Sequence, residues 1–248
     1  KNIKIFPDYF NAQDFNKNFD KKAKIITSCA MFYDLADPKK FVNDIENILE
    51  ENGIWCVQIS YLLLMIKNLN FIDICHEHLS YYSIHSFEKL IQQFNLKIFY
   101  ADTNDVNGGS FSIVVAHRES IYQDSNRTVE RLLIHEDKVD LASIDTYLSF
   151  SDRIEDHRSL LIEYFSTARD AGKRICGLGA STKGNVLLQY SKLGADDIET
   201  IGDINVDKFG AFTPGTWIPI SSEEAVLATD PDYLFVLPWH FKQFFLNQ

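Results

Sequence analysis

The sequence predicts an α/β protein of two units: a parallel sheet closed by an antiparallel hairpin, then a second, smaller βαβ unit. Three observations carry that prediction. From residue 3 to about 60, short β-rich runs alternate with amphipathic stretches at the spacing of parallel crossovers. A loop rich in Asn, Asp and Gly at 102–109 separates two further β-rich runs, the mark of an antiparallel pair. Beyond a highly charged stretch at 120–170, the alternation of strand and helix resumes.

In chain order, residues 3–6 read as a strand, 9–18 as a helix, 23–28 as a strand, 38–50 as a helix and 54–59 as a strand. Asp37-Pro38 opens the second helix with an acceptor before a proline at the first helical position, and Asn52-Gly53 is expected to close it. Residues 86–94 form an amphipathic helix through Phe87, Leu90, Ile91 and Phe94. Residues 97–101 and 110–116 make the hairpin. In the charged stretch, Tyr147, Ile154, Leu161, Phe165 and Ala168 recur at helical spacing, which predicts helices joining the two units. The second unit follows with strand 174–177, helix 182–192, strand 199–203 and strand 232–237. The predicted boundaries are 1–118 for the first domain, 119–170 for a helical linker and 171–248 for the second domain.

Composition narrows the function. Of 248 residues, 46% are hydrophobic, enough for a substantial core. Twenty-four basic against thirty-five acidic residues give a net charge of −11, which argues against a general nucleic-acid or anionic-membrane binder. The longest apolar run, 61–66, is far short of the roughly 20 residues of a membrane helix. Cys29, Cys56, Cys75 and Cys176 are widely spaced, so reduced thiols and a cytoplasmic location are expected. The first residues lack an initiator Met and a signal-peptide core and read as the middle of a longer protein.

Three islands carry chemistry. Asp73-Ile74-Cys75-His76-Glu77-His78-Leu79-Ser80-Tyr81-Tyr82 concentrates proton-transfer groups without an apolar period; a polar surface turn is the alternative reading. His76 and His78 share a face if the segment is extended, but spacing supplies no third metal ligand, so no metal is predicted. Asn107-Gly108-Gly109 permits positive φ and close approach of backbone to a ligand, or makes a plain hairpin loop. Gly177-Leu178-Gly179-Ala180-Ser181-Thr182-Lys183-Gly184-Asn185 places backbone N–H groups, two hydroxyls and an ammonium at a helix N-terminus, a suitable anion cradle. Thr182 stands where the dinucleotide fingerprint has its third glycine, yet Asp203 ends the next strand where a ribose-binding carboxylate would sit, so a nicotinamide-binding module stays open. Trp239 and His240 follow the last strand, either as base or sugar contacts or as ordinary loop residues.

The segments ITSCAMFYDLADPKKFVNDIENILEENGIW, IDICHEHLSYYS, NGGSFSIVV, GLGASTKGNVLLQY and GDINVDKFGAFTPGTWIPI together resemble the sugar C-methyltransferases, and the resemblance covers nearly the whole chain. It implies a partial class I methyltransferase (Rossmann-like) sheet with its antiparallel hairpin, followed by a Rossmann-like C-terminal domain. It also implies S-adenosylmethionine as cofactor, a nucleotide-linked keto-deoxysugar as substrate, and C-methylation by base-assisted enolisation. Longer members carry a zinc-binding module and a glycine-rich first strand in front, so this chain is expected to begin near the third strand and to be a fragment. By resemblance His78 is the base, and Glu77 orients it or holds a sugar hydroxyl.

The chain departs from the family pattern at Cys75, where many members have Tyr, at Asp34, where many have His, and at Ser112, where Arg is frequent. Cys75 is a weak donor for an enolate; Tyr81 or Tyr82 is a replacement hydroxyl, and Asp34 a second candidate base. Ser28 and Cys29 fall on the cofactor side. Asn107, Gly108 and Gly109 border the sugar, and Gly179, Ser181, Thr182, Lys183 and Asn185 meet the diphosphate. The competing readings are a non-catalytic nucleotide-sugar-binding fragment and an NAD(P)-binding module. Oligomeric state is not legible.

Overall fold

The computed structural model describes residues 3–124 and 126–239. They divide into two compact units, Lys1–Leu64 with Leu79–Leu141, and Met65–His78 with Ala142–Gln248. The first contains strands β1 (Ala23–Cys29), β2 (Leu49–Ser60), β3 (Leu96–Asn104) and β4 (Ser110–His117) in the order β1-β2-β4-β3. β1 and β2 are parallel, and β4 runs antiparallel to both β2 and β3. A parallel pair extended by an antiparallel hairpin is the architecture that the sequence predicts.

Strand β2 shows why one face of this sheet is core. Trp55, Val57 and Ile59 are buried while Cys56, Gln58 and Ser60, alternating with them, are only half-buried. Helix α1 (Ala12–Asn18) precedes β1, and against the apolar face pack α2 (Pro38–Ile48) through Val42 and Ile45, α4 (Ile84–Ile91) through Phe87 and Ile91, and α5 (Thr128–Val139) through Val129 and Leu132. Phe32, fully buried, has ring centroids of Phe87, Tyr82, Trp55 and Phe41 within 5.1 to 5.8 Å. Burial of each such ring contributes about 1.5–3 kcal/mol. Asp37 caps α2 by accepting the Lys40 N–H at 2.9 Å, as its sequence position predicts.

Two expectations are corrected here. Residues 3–6 are not a strand, and Ile3 and Ile5 are more than four-fifths exposed. Among the described residues β1 is the sheet edge, and Pro7 offers no N–H for a ladder. Asn52-Gly53 does not end the helix over 38–50: α2 stops at Ile48, and β2 starts at Leu49. The pairing with β1 jumps from Ala23↔Leu49 to Ile25↔Ile54, and Gly53 lies inside that bulge, where a Cβ would stand 2.9 Å from the Ala23 carbonyl oxygen. The glycine serves close approach of two strands, not helix termination.

The second unit is an all-parallel sheet in the order β7-β6-β5-β8, from β5 (Ile175–Leu178), β6 (Ile201–Asp203), β7 (Ile220–Ser222) and β8 (Tyr233–Val236). Helices α6 (Ile144–Asp170), α7 (Thr182–Ser191) and α8 (Glu223–Leu227) belong to it. β7 and α8 are additions to the predicted elements. The charged stretch read as a linker is divided: α5 packs on β3 and α4 in the first unit, and α6 contacts α7 in the second.

Candidate functional site

After α3 (Leu62–Lys67) the chain enters a 3-10 turn, Phe71–Asp73, whose three residues are buried. The Cys75 N–H donates to the Asp73 carbonyl at 3.0 Å and the His78 N–H to the Cys75 carbonyl at 3.2 Å. Residues 73–78 are therefore two linked turns, not an extended strand, and the shared face assumed for His76 and His78 does not arise. His76 and Glu77 are exposed, whereas Cys75 and His78 are half-buried. This segment groups with the second unit, where the Arg153 guanidinium donates to the carbonyls of Ile66 and Lys67 at 3.0 and 3.1 Å. The Phe71 ring lies 5.9 Å from His157 and 5.6 Å from Tyr190.

In the same unit β5 leads through Gly179 into α7. Gly179 has φ +81°, and a Cβ there would stand 2.6 Å from Pro238 Cδ. Gly184, in the first turn of α7, approaches Leu237 so closely that a Cβ would meet its Cβ at 2.8 Å. It therefore provides the close helix–strand packing for which the dinucleotide fingerprint uses the glycine missing at Thr182. Ser181 caps the helix, its Oγ accepting from the Gly184 N–H at 3.0 Å, and its carbonyl accepts from Asn185 N–H. The N–H groups of Thr182 and Lys183 are ones that a helix leaves without an intrahelical partner, so the end of α7 suits an anion. Lys183 does not stand free in the cradle: its ammonium pairs with Asp73, which is 1% exposed.

Asp203, which the nicotinamide alternative would use on a ribose, is engaged within the protein. Its carboxylate accepts from Ala180 N–H at 2.8 Å, Asn205 N–H at 2.8 Å and Lys208 Nζ at 3.0 Å, which ties the β6 end to the loop before α7. Burial alone pushes the Asp203 carboxyl up, but the Asn205 N–H, the Lys208 ammonium and the Ala180 N–H together hold it below the ordinary 3.8. A depressed native pKa stabilises the fold above the unfolded value and loses that contribution as pH falls through the native one. Acidification below about pH 4 is therefore expected to lower the melting temperature of the chain more steeply than that of Asp203→Asn. Thermal melts over a pH series check this, and an equal acid slope in the variant would count against it. Lys208, which sequence reasoning missed, also donates to the Ala180 carbonyl at 2.8 Å and keeps a partly exposed positive charge beside the α7 end.

A cavity of about 330 Å³ in this unit is lined by Phe71, Ile72, His157, Leu187, Val236 and Trp239, among others. His240 lies outside the described residues.

In the first unit, Asp34 is exposed at the end of a 3-10 turn after β1, and the carbonyl of its neighbour Tyr33 accepts from both Leu79 and Ser80 N–H, at 2.9 and 3.1 Å. Of the two residues assigned to the cofactor, Ser28 is buried and its Oγ accepts the Trp55 indole N–H at 2.9 Å, a packing role. Cys29 is exposed at the C-terminal end of β1, where Ala30 turns the chain with φ +53°. Of the two candidate hydroxyls, Tyr82 has its ring in the core, where burial pushes its phenol up, and Tyr81 is half-buried. Asn107, Gly108 and Gly109 take φ of 56°, 87° and 133° in succession, and the Gly109 carbonyl accepts the Tyr61 N–H at 3.1 Å. Ser112, in β4, accepts from the Asn104 amide at 3.0 Å.

Comparison with known proteins matches residues 105–248 to the family model "C-methyltransferase C-terminal domain" and residues 2–101 to "Methyltransferase domain". The C-methyltransferase NovU of Streptomyces niveus is 32% identical over 219 residues, covering 88% of this chain. The chain spans about half the length of that relative, 52%. No helix among the described residues is long and apolar enough to cross a membrane.

Proposed function

The chain belongs to the C-methyltransferase family, and from that premise we propose that it takes part in S-adenosylmethionine-dependent C-methylation of a nucleotide-linked keto-deoxysugar. The chain's own residues bind the sugar nucleotide and remove a proton from the carbon beside the ketone. The observation that carries this reading is that one unit holds both the His78 turn and the anion-suited end of α7. The α7 end, with Ser181, Thr182 and the nearby Lys208, receives the diphosphate, and the cavity beside Trp239 and Phe71 takes the base. Its volume is at the small end of ligand pockets, enough for a single flat ring system. His78 accepts the proton, and Cys75, in the same unit, is the hydrogen-bond donor nearest in sequence for the enolate oxygen.

S-adenosylmethionine fits at the C-terminal end of β1, where Cys29 is exposed and the chain bends away at Ala30. When bound, it supplies the methyl group. A nicotinamide dinucleotide fits less well, because the Asp203 carboxylate is already satisfied by Ala180, Asn205 and Lys208.

Calorimetric titration tests the reading. A thymidine diphosphate ketosugar is expected to bind and a nicotinamide dinucleotide is not; the reverse pattern would remove the proposal. Titration with S-adenosylhomocysteine separates a chain that also holds cofactor from one that holds substrate alone.

A further inference from the structure

Lys183 sits in the middle of the proposed anion site, and its sequence position makes it an obvious phosphate ligand. Its environment says otherwise. The Lys183 side chain is 17% exposed, and its ammonium is paired with the carboxylate of Asp73, whose side chain is 1% exposed. To reach a phosphate, Lys183 would have to leave a carboxylate charged and buried without its counter-ion, which is strongly unfavourable. An incoming diphosphate still has the Thr182 and Lys183 backbone N–H groups, the Ser181 and Thr182 hydroxyls and Lys208.

What the pair does is mechanical. Asp73 is the last residue of the buried 3-10 turn, and its carbonyl accepts the Cys75 N–H, whose own carbonyl accepts the His78 N–H. A displacement of Asp73 is passed through two hydrogen-bonded turns to the imidazole five residues on. Phe71 and Arg153 hold the preceding residues to α6 and to the C-terminal part of α7. The Asp73 pair adds an attachment at the first turn of α7, the turn proposed to hold the diphosphate.

We propose that Asp73 and Lys183 form the link that sets the distance between the anion-binding end of α7 and His78, so that Lys183 is a positioning residue and not a diphosphate ligand. This rests on the C-methylation reading for its chemistry, though not for its geometry. Binding the diphosphate then places the sugar against a base already fixed in the same unit. A misplacement of the base by about 1 Å costs on the order of 10²-fold in rate.

Three variants test it: Asp73→Asn, Lys183→Met, and the doubly apolar Asp73→Leu/Lys183→Met, which removes the link without leaving a buried charge. Three quantities are measured: amide hydrogen exchange over residues 75–78, affinity for thymidine diphosphate, and deuterium wash-in beside the ketone of a thymidine diphosphate ketosugar in D₂O. In every variant, amide exchange over 75–78 should rise by roughly 10-fold or more as local opening becomes easier. Wash-in should slow by about 10–100-fold at saturation, with KM and thymidine diphosphate affinity within about 3-fold, because the anion contacts persist. The double variant should be no slower than the singles, since all three break one link.

Loss of thymidine diphosphate affinity in Lys183→Met but not in Asp73→Asn would make Lys183 a ligand and overturn the proposal. So would unchanged amide exchange over 75–78 in both single variants. If the unaltered chain binds no thymidine diphosphate, the functional reading fails separately, and the amide-exchange result still decides whether the link exists.

Discussion

Replacing Glu136 by Leu is expected to lower the stability of the first unit by about 3–5 kcal/mol, a large part of the roughly 5–15 kcal/mol that a domain has. Glu136 is 1% exposed. Its carboxylate accepts from the Tyr61 hydroxyl at 2.8 Å, the Ile84 N–H at 2.5 Å and the His85 N–H at 3.0 Å. Ile84 and His85 open α4, so Glu136 satisfies two of the donors that a helix start leaves over, and places negative charge at the positive end of the helix dipole. Ser83 takes the next one, accepting from Ser86 N–H at 3.1 Å. Burial, followed by the Glu136 charge, pushes the Tyr61 phenol well above its usual range, so it stays a donor. Leucine leaves the Tyr61 hydroxyl and the Ile84 N–H buried without a partner and removes the partner of the His85 N–H, whereas Tyr61→Phe loses a single hydrogen bond and should cost about 1 kcal/mol. Urea unfolding followed by tryptophan fluorescence reports both, because Trp55 is fully buried in this unit. Equal losses in the two variants would mean that the helix-end contacts contribute little.

Glu136 also shows where the sequence stops being informative. It falls in a charged stretch whose local pattern says only helix, and its partners lie some fifty to seventy-five residues earlier, a pairing that leaves no period to read. The same holds for Asp73 with Lys183: GLGASTKG is legible as a capped helix start, but nothing nearby announces that its ammonium is taken. Asn52-Gly53 is a subtler case. A glycine after an amphipathic run fits a helix stop and a β-bulge equally well, and the contact with Ala23 that decides between them is long-range. β7, with three residues, is shorter than any alternation can reveal. By contrast β2, β4 and the Asp37 cap were readable because their signals are local: alternation in the strands, and an acceptor three residues before its donor.

The proton-abstracting role proposed for His78 leads to the largest expected effect on chemistry. His78→Asn should slow deuterium wash-in beside the ketone of a thymidine diphosphate ketosugar by about 10²–10⁴-fold, the usual worth of a general base, and leave affinity for thymidine diphosphate unchanged. The wash-in experiment isolates the enolisation step, so it requires no methyl donor. Asparagine is of similar size and keeps a polar end, and the His78 main-chain bond to Cys75, which shapes the turn, is untouched. Asp34, exposed at the end of the 3-10 turn after β1, is the rival base and makes the comparison decisive. If Asp34→Asn abolishes wash-in while His78→Asn only slows it by a few-fold, the carboxylate removes the proton and His78 orients the sugar. If both abolish it, the two replacements do not single out one base, and the assignment of His78 as the sole base fails.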